Sequence, residues 1–305
     1  MNQENTDLRR KVVIKGVTGQ LEIPSGRDPF QNAWLTLTLG YGLTFLDSRV
    51  RGKVMGSEHS GDVIVHHDEL GWCARDSDDF LFPILEWGYD SIKTFAKLFQ
   101  QGEYIWNHRF LIKPPEDFDE LDFSSPALPD YVLRPNIICL FRMQAGAKNG
   151  EAFNVVRISP EVFEDRKYVV PNYSNKKTKL AVSGFRSHEQ LLTDRDVFTP
   201  VLGHELGHAI NEDHILVLEG DEQCKAKPNA DRCYGQTPKE LRNIMGAGTE
   251  ITAINVAPWI DHLQMIVGGD ALRCSIVMLT DSKVQPLPPR KIPSAKAKTA
   301  AGRKR

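Results

Sequence analysis

Residues 204–214 read HELGHAINEDH. Histidines stand at 204, 208 and 214, and a glutamate follows the first. In an α-helix, residues four apart lie on one face, one turn above the other. His204 and His208 can therefore aim both imidazoles at one point, while Glu205, rotated by about 100°, flanks that point. Gly203 and Gly207 occupy the same turns. Each costs a helix about 1 kcal/mol relative to alanine, so the pair calls for a reason such as close packing or access to a bound group. His214 lies six residues beyond His208, about 240° around the axis if the helix continued. It can join the other two only if the chain leaves the helix. Asn211 stands where that break is required, and asparagine is the non-glycine residue that best tolerates the left-handed conformation that ends helices.

Two histidines at i and i+4 with a carboxylate beside the first form the HExxH arrangement: two zinc ligands and a general base. The competing reading is an amphipathic helix with solvated histidines, and the two glycines argue against it. A catalytic zinc needs a third protein ligand and one open position. His214 can supply that ligand. A different class of HExxH enzymes takes it from a glutamate on a later helix, and Glu219 and Glu222 in LEGDEQ (218–223) are available for that. Gly220 and the lack of a helical period make a rigid helix there a poor expectation.

The stretch resembles the long zinc motif of the metzincin metallopeptidases, HExxHxxGxxH, with Asn211 at the usual glycine. RNIMGAG (242–248) resembles the methionine turn of the same clan, with Met245 31 residues after His214. The resemblance covers residues 193–268 closely and the region from residue 83 more loosely; it says nothing of residues 1–75. It implies one catalytic Zn2+ held by His204, His208 and His214, Glu205 as general base, and Met245 as a hydrophobic floor. It implies an α+β fold: a metzincin-like zinc peptidase domain with a mixed twisted sheet, an active-site helix and an irregular C-terminal subdomain. It implies a zinc-dependent endopeptidase acting on a protein or peptide that lies extended beside an edge strand, for which KLAVSGF (179–185) is the candidate. Ala247 stands where some clan members carry a tyrosine that assists at the metal, so no such tyrosine is expected. A zinc-binding interaction module without activity is the rival, and an intact Glu205 argues against it.

Outside the motif, KVVIKG (11–16), WLTLTLGYGLTF (34–45) and DVIVHH (62–67) read as strands. PILEWGYDSIKTFAKLFQQG (83–102) reads as an amphipathic helix with an apolar face of Leu85, Tyr89, Ile92, Ala96 and Phe99, begun by Pro83 and closed by Gly102. YIWNHRFLI (104–112), NIICLFRM (136–143), FNVVRIS (153–159) and KLAVSGF follow as strands. In YIWNHRFLI, Trp106, His108 and Arg109 read as a cross-strand packing surface. Thr199 and Pro200 suit the cap and first position of the motif helix. PWIDHLQMIV (258–267) reads as a further helix stopped by Gly268 and Gly269, and SIVML (275–279) as a last strand. His66 and His67 fall on opposite strand faces, which favours surface residues over a second metal. The expected organisation is a β-rich region over 1–78, a catalytic domain over 79–282 and a disordered basic tail over 283–305.

The chain has 305 residues, a hydrophobic fraction of 41% and a net charge of −2. Residues 283–305 carry eight Lys or Arg and no acid, which leaves the body distinctly acidic. Such a tail can bind nucleic acid or an acidic membrane. No aromatic or motif accompanies its charge, so a solubilising tail is the expectation, and the acidic body argues against nucleic-acid binding. No apolar run approaches the ~20 residues of a membrane span. The N-terminus lacks the apolar core of a secretory signal, so synthesis in the cytoplasm is expected, with any export by a signal-independent route. Oligomeric state is not legible. Among the five cysteines, Cys139 and Cys274 sit in apolar runs and read as buried. Cys224 and Cys233 bracket the polar loop KAKPNADR, which has no apolar anchor. A bond between them would restrain that loop and would fit an oxidising compartment.

Overall fold

The structure is a computed structural model. It describes residues 10–23, 32–49, 64–75, 81–118, 131–132, 135–147, 150–158, 186–188, 195–228, 230–268, 270–279 and 290–291. In chain order the strands and helices are β1 (Arg10–Ile14), β2 (Val17–Glu22), β3 (Ala33–Leu46), β4 (Ile64–His67), β5 (Gly71–Arg75), β6 (Leu81–Pro83), α1 (Tyr89–Gln101), α2 (Glu103–Trp106), β7 (Phe110–Lys113), β8 (Tyr131–Val132), β9 (Ile137–Ala145), β10 (Glu151–Ile158) and β11 (Arg186–His188). They continue with α3 (Arg195–Ala209), α4 (Ile215–Leu218), α5 (Glu222–Ala226), α6 (Pro238–Arg242), α7 (Ala257–Val267), β12 (Ser275–Met278) and β13 (Arg290–Lys291). Helices and a mixed sheet make this an α+β chain. Among the described residues no helix is long and apolar enough to cross a membrane.

The chain forms two compact units that alternate along the sequence. One comprises residues 1–38, 107–142 and 252–305. It holds β1, β2, the first part of β3, the first part of β9, β7 and β12, which follow one another in the order β1-β2-β3-β9-β7-β12. β1 and β2 form an antiparallel hairpin, Arg10 opposite Leu21 and Ile14 opposite Val17. Lys15 and Gly16, both at positive φ, make its two-residue turn. α7 packs on that hairpin so closely that a Cβ at Gly19 would come within 2.4 Å of the His262 ring. Trp259 of α7 is buried, donates its indole N–H to the Leu140 carbonyl at 3.0 Å, and meets the Phe110 ring at a tilt of 58°. Gly268 ends α7 in the left-handed conformation, where glycine is expected. β12 pairs with β7, so the last predicted strand is present. Cys139 and Cys274 are buried, as expected. Arg290–Lys291 pair with Tyr131–Val132; the rest of the expected disordered tail lies outside the described residues.

The other unit comprises residues 39–106 and 143–251. Here β10 runs parallel to the second half of β3, Glu151 opposite Tyr41 and Val156 opposite Leu46, and β11 runs parallel to β10. β4, β5 and β6 form a separate antiparallel sheet. Rings of Tyr41, Phe45, Trp87, Phe95, Phe99 and Phe153 interlock at centroid distances from 4.9 to 6.2 Å, a large apolar area with aromatic edge contacts.

Three sequence expectations change in this unit. The first helix starts at Tyr89, not near Pro83, because Pro83 closes β6 and Gly88 supplies the cap. Phe95 and Phe99 are its buried residues, with Ile92 and Ala96 half-buried beside them, and Tyr89 is exposed. YIWNHRFLI is not one strand. Residues 103–106 make a second helical turn, His108 reverses the chain at φ 59°, and only Phe110–Lys113 is extended. Trp106 therefore belongs to a helix rather than to a cross-strand surface. Finally, α3 begins at Arg195, so Thr199 and Pro200 lie inside it rather than at its cap. KLAVSGF lies outside the described residues.

Candidate metal centre

α3 carries His204, Glu205 and His208, and its packing explains both glycines. A Cβ at Gly203 would lie 2.5 Å from Cδ1 of Ile244 and 3.0 Å from Ile105. A Cβ at Gly207 would lie 2.3 Å from Sδ of Met245 and 3.0 Å from the Trp106 ring. Only glycine lets the Ile244–Met245 segment and α2 approach the helix this closely. Trp106 adds a hydrogen bond from its indole N–H to the Gly203 carbonyl, 2.9 Å. Leu202 and Leu206 close on Gly102, where α1 gives way to α2.

The helix ends as its sequence requires. Asn211 adopts φ 72°. Its N–H donates to the His208 carbonyl at 2.9 Å, and the Glu212 N–H donates to the Gly207 carbonyl at 2.8 Å. This is the paired pattern of a Schellman end with asparagine at the left-handed position. The chain then turns back and delivers His214, whose backbone caps α4. The Ile215 N–H donates to the Met245 carbonyl, 3.1 Å, which ties the returning segment to the stretch that packs on Gly203 and Gly207.

The three histidines meet. Nε2 of His208 lies 3.2 Å from Nε2 of His204 and 3.1 Å from Nε2 of His214. Each Nδ1 faces a backbone carbonyl: His204 that of Ile244 at 2.8 Å, His208 that of Glu212 at 2.9 Å, and His214 that of Pro228 at 2.6 Å. A carbonyl only accepts, so each Nδ1 carries the proton and each Nε2 presents a lone pair. Three lone pairs converge with no proton between them, an arrangement that fits a shared cation. Ligand nitrogens at 2.0–2.1 Å from a tetrahedral zinc stand about 3.4 Å apart, close to the spacing found. Burial pushes His204 down to about 4 and holds His208 and His214 below the usual imidazole range, so all three are neutral donors near pH 7. Burial pushes the Glu205 carboxyl up to about 7.

Among the described residues these three form the one His, Cys, Asp or Glu group that could hold a metal ion. Glu222, the rival ligand, is exposed and pairs with Lys225 at 2.8 Å. His66 and His67 sit on β4, with His66 exposed and facing the Trp72 ring. Met245 is fully buried, packed against α3 at Gly207.

Cys224 and Cys233 are bonded. Both are fully buried, in a cluster with Leu216 of α4 flanked by Val217 and Ala230. The polar loop that looked unanchored in sequence is thus pinned to the helix that follows His214. Two features escaped sequence reading. Pro228 is recognised by its carbonyl, which any residue could supply. Tyr234, the residue after Cys233, stacks on the His204 ring at 5.5 Å and 14°, and lies 4.0 Å from His214. An aromatic directly following a loop cysteine was its only signal. No protein-family model matches the chain, and comparison with curated proteins and with solved structures finds no match.

Proposed function

We propose that the chain is a zinc-dependent endopeptidase of metzincin type, with one Zn2+ held by His204, His208 and His214. The observation that carries this reading is the convergence of three Nε2 atoms, each with its Nδ1 fixed on a carbonyl, two of them from the helix that also bears Glu205 and the third from the segment that returns to it. A zinc ion held this way supplies a Lewis acid for a carbonyl and lowers the pKa of water towards ~7. Glu205 accepts the proton of the attacking water on its carboxylate and passes it to the leaving amine nitrogen. Gly203 and Gly207 hold the helix against Ile244 and Met245, and so keep the two helical ligands in register. The substrate is a protein or peptide chain.

The disulfide supports action in an oxidising compartment, because such bonds are rare in a reducing cytosol. The function is tested by incubating purified protein with an unfolded polypeptide, with and without a chelator. Cleavage that stops with chelator, returns with Zn2+ and is absent in Glu205→Ala of normal zinc content is expected. Cleavage by Glu205→Ala at the wild-type rate would contradict the role given to Glu205.

A further inference from the structure

Of the three histidines, His214 alone has its Nδ1 held from the loop closed by Cys224 and Cys233, while Tyr234, just beyond that loop, faces both His214 and His204. The His214 Nδ1 is held by Pro228, four residues after Cys224, at 2.6 Å. The His214 ring lies 4.0 Å from that of Tyr234, the residue directly after Cys233. The disulfide therefore stands between two contacts that fix the tilt and tautomer of one imidazole. The loop is braced at both ends. Asp221 caps α5 by accepting from the Gln223 and Cys224 N–H groups at 2.9 Å, and pairs with Arg232 at 2.8 Å. Cys233 donates its N–H to the Ala230 carbonyl at 2.8 Å. The bond is buried against Leu216 of α4, the helix that His214 caps.

We propose that the Cys224–Cys233 loop is the positioning device of the third ligand, and that Tyr234 is a positioning residue for His214. Metal affinity then depends on a covalent bond that touches no metal. This rests on the three-histidine site proposed above. Partners that orient metal-bound histidines are worth about 10–100-fold in affinity, and opening the loop loosens the Pro228 carbonyl and the Tyr234 ring together.

The test titrates metal-free protein with Co2+ alone and with Zn2+ alone, in competition with a chelator. It compares wild type, C224A/C233A, Tyr234→Leu and, as a control at an exposed position just before the loop, Glu222→Ala. Circular dichroism establishes that each is folded. Both loop variants are expected to bind about 10–100-fold more weakly and to show a changed visible Co2+ spectrum, because the imidazole geometry is altered; Glu222→Ala is expected to match wild type. Wild-type affinity and spectrum in both loop variants would overturn the inference and leave the three-histidine site standing. If C224A/C233A does not fold, Tyr234→Leu decides by the same two outcomes. Failure of wild type itself to bind either ion would overturn the site, and this inference with it.

Discussion

Two regions hold the same three histidines in different ways. His204 and His208 belong to a helix clamped by packing: Gly203 and Gly207 admit Ile244, Met245 and Trp106 to within contact of the backbone. His214 belongs to an irregular segment held by a disulfide, a proline carbonyl and a tyrosine ring. The first support is many small contacts spread over two elements. The second is a few specific ones concentrated in residues 224–234. A packed helix tolerates loss of one contact by spreading the change, whereas a short braced loop transmits each loss to the histidine it holds.

Metal removal is expected to expose this contrast most strongly. An ion present at ~1,000 times its Kd stabilises a fold by about 4 kcal/mol, so a chelator should lower stability by about that much. Amide exchange should then rise first over residues 214–235 and little in α3; a uniform rise would erase the distinction. C224A/C233A should cost about 2–3 kcal/mol in denaturant unfolding, the chain-entropy value for a loop of this size. Gly207→Ala attacks the helix side instead. Its Cβ would meet the Met245 thioether, and overpacking of this kind costs about 1–3 kcal/mol. Met245→Leu keeps most of the volume and should cost under about 1.5 kcal/mol, with metal content unchanged. Asn211→Ala keeps the Cβ but removes the short polar side chain that eases a left-handed φ, and should cost about 1 kcal/mol, whereas Asn211→Gly should be close to neutral. These two are read from thermal unfolding; equal costs would show that the turn at residue 211 does not depend on backbone freedom.

The helix side was legible because helical spacing maps sequence onto space. His204, His208 and the demand for a break at Asn211 follow from 3.6 residues per turn. The glycines signalled a close approach, although not which atoms approach. The disulfide was readable from two cysteines around a polar loop with no large apolar residue. The Pro228 carbonyl was not, because a backbone acceptor leaves no trace in residue identity. Tyr234 was hidden for a related reason: its contact with His214 joins segments 20 residues apart across irregular chain, where no period applies. The YIWNHRFLI stretch misled because alternating apolar residues also fit a helical turn followed by a strand, and His108 at positive φ separates the two. Pro83 misled because proline ends a short strand as readily as it begins a helix.

X-ray absorption on Zn2+-loaded protein tests the three-histidine site most directly. One ion per chain, with three imidazole nitrogens at about 2.0–2.1 Å and the remaining coordination from oxygen, is the predicted result, and His214→Ala should reduce the imidazole count to two. Three imidazoles retained in His214→Ala, or sulfur in the coordination sphere at about 2.3 Å, would contradict the assignment of His204, His208 and His214 as the metal ligands.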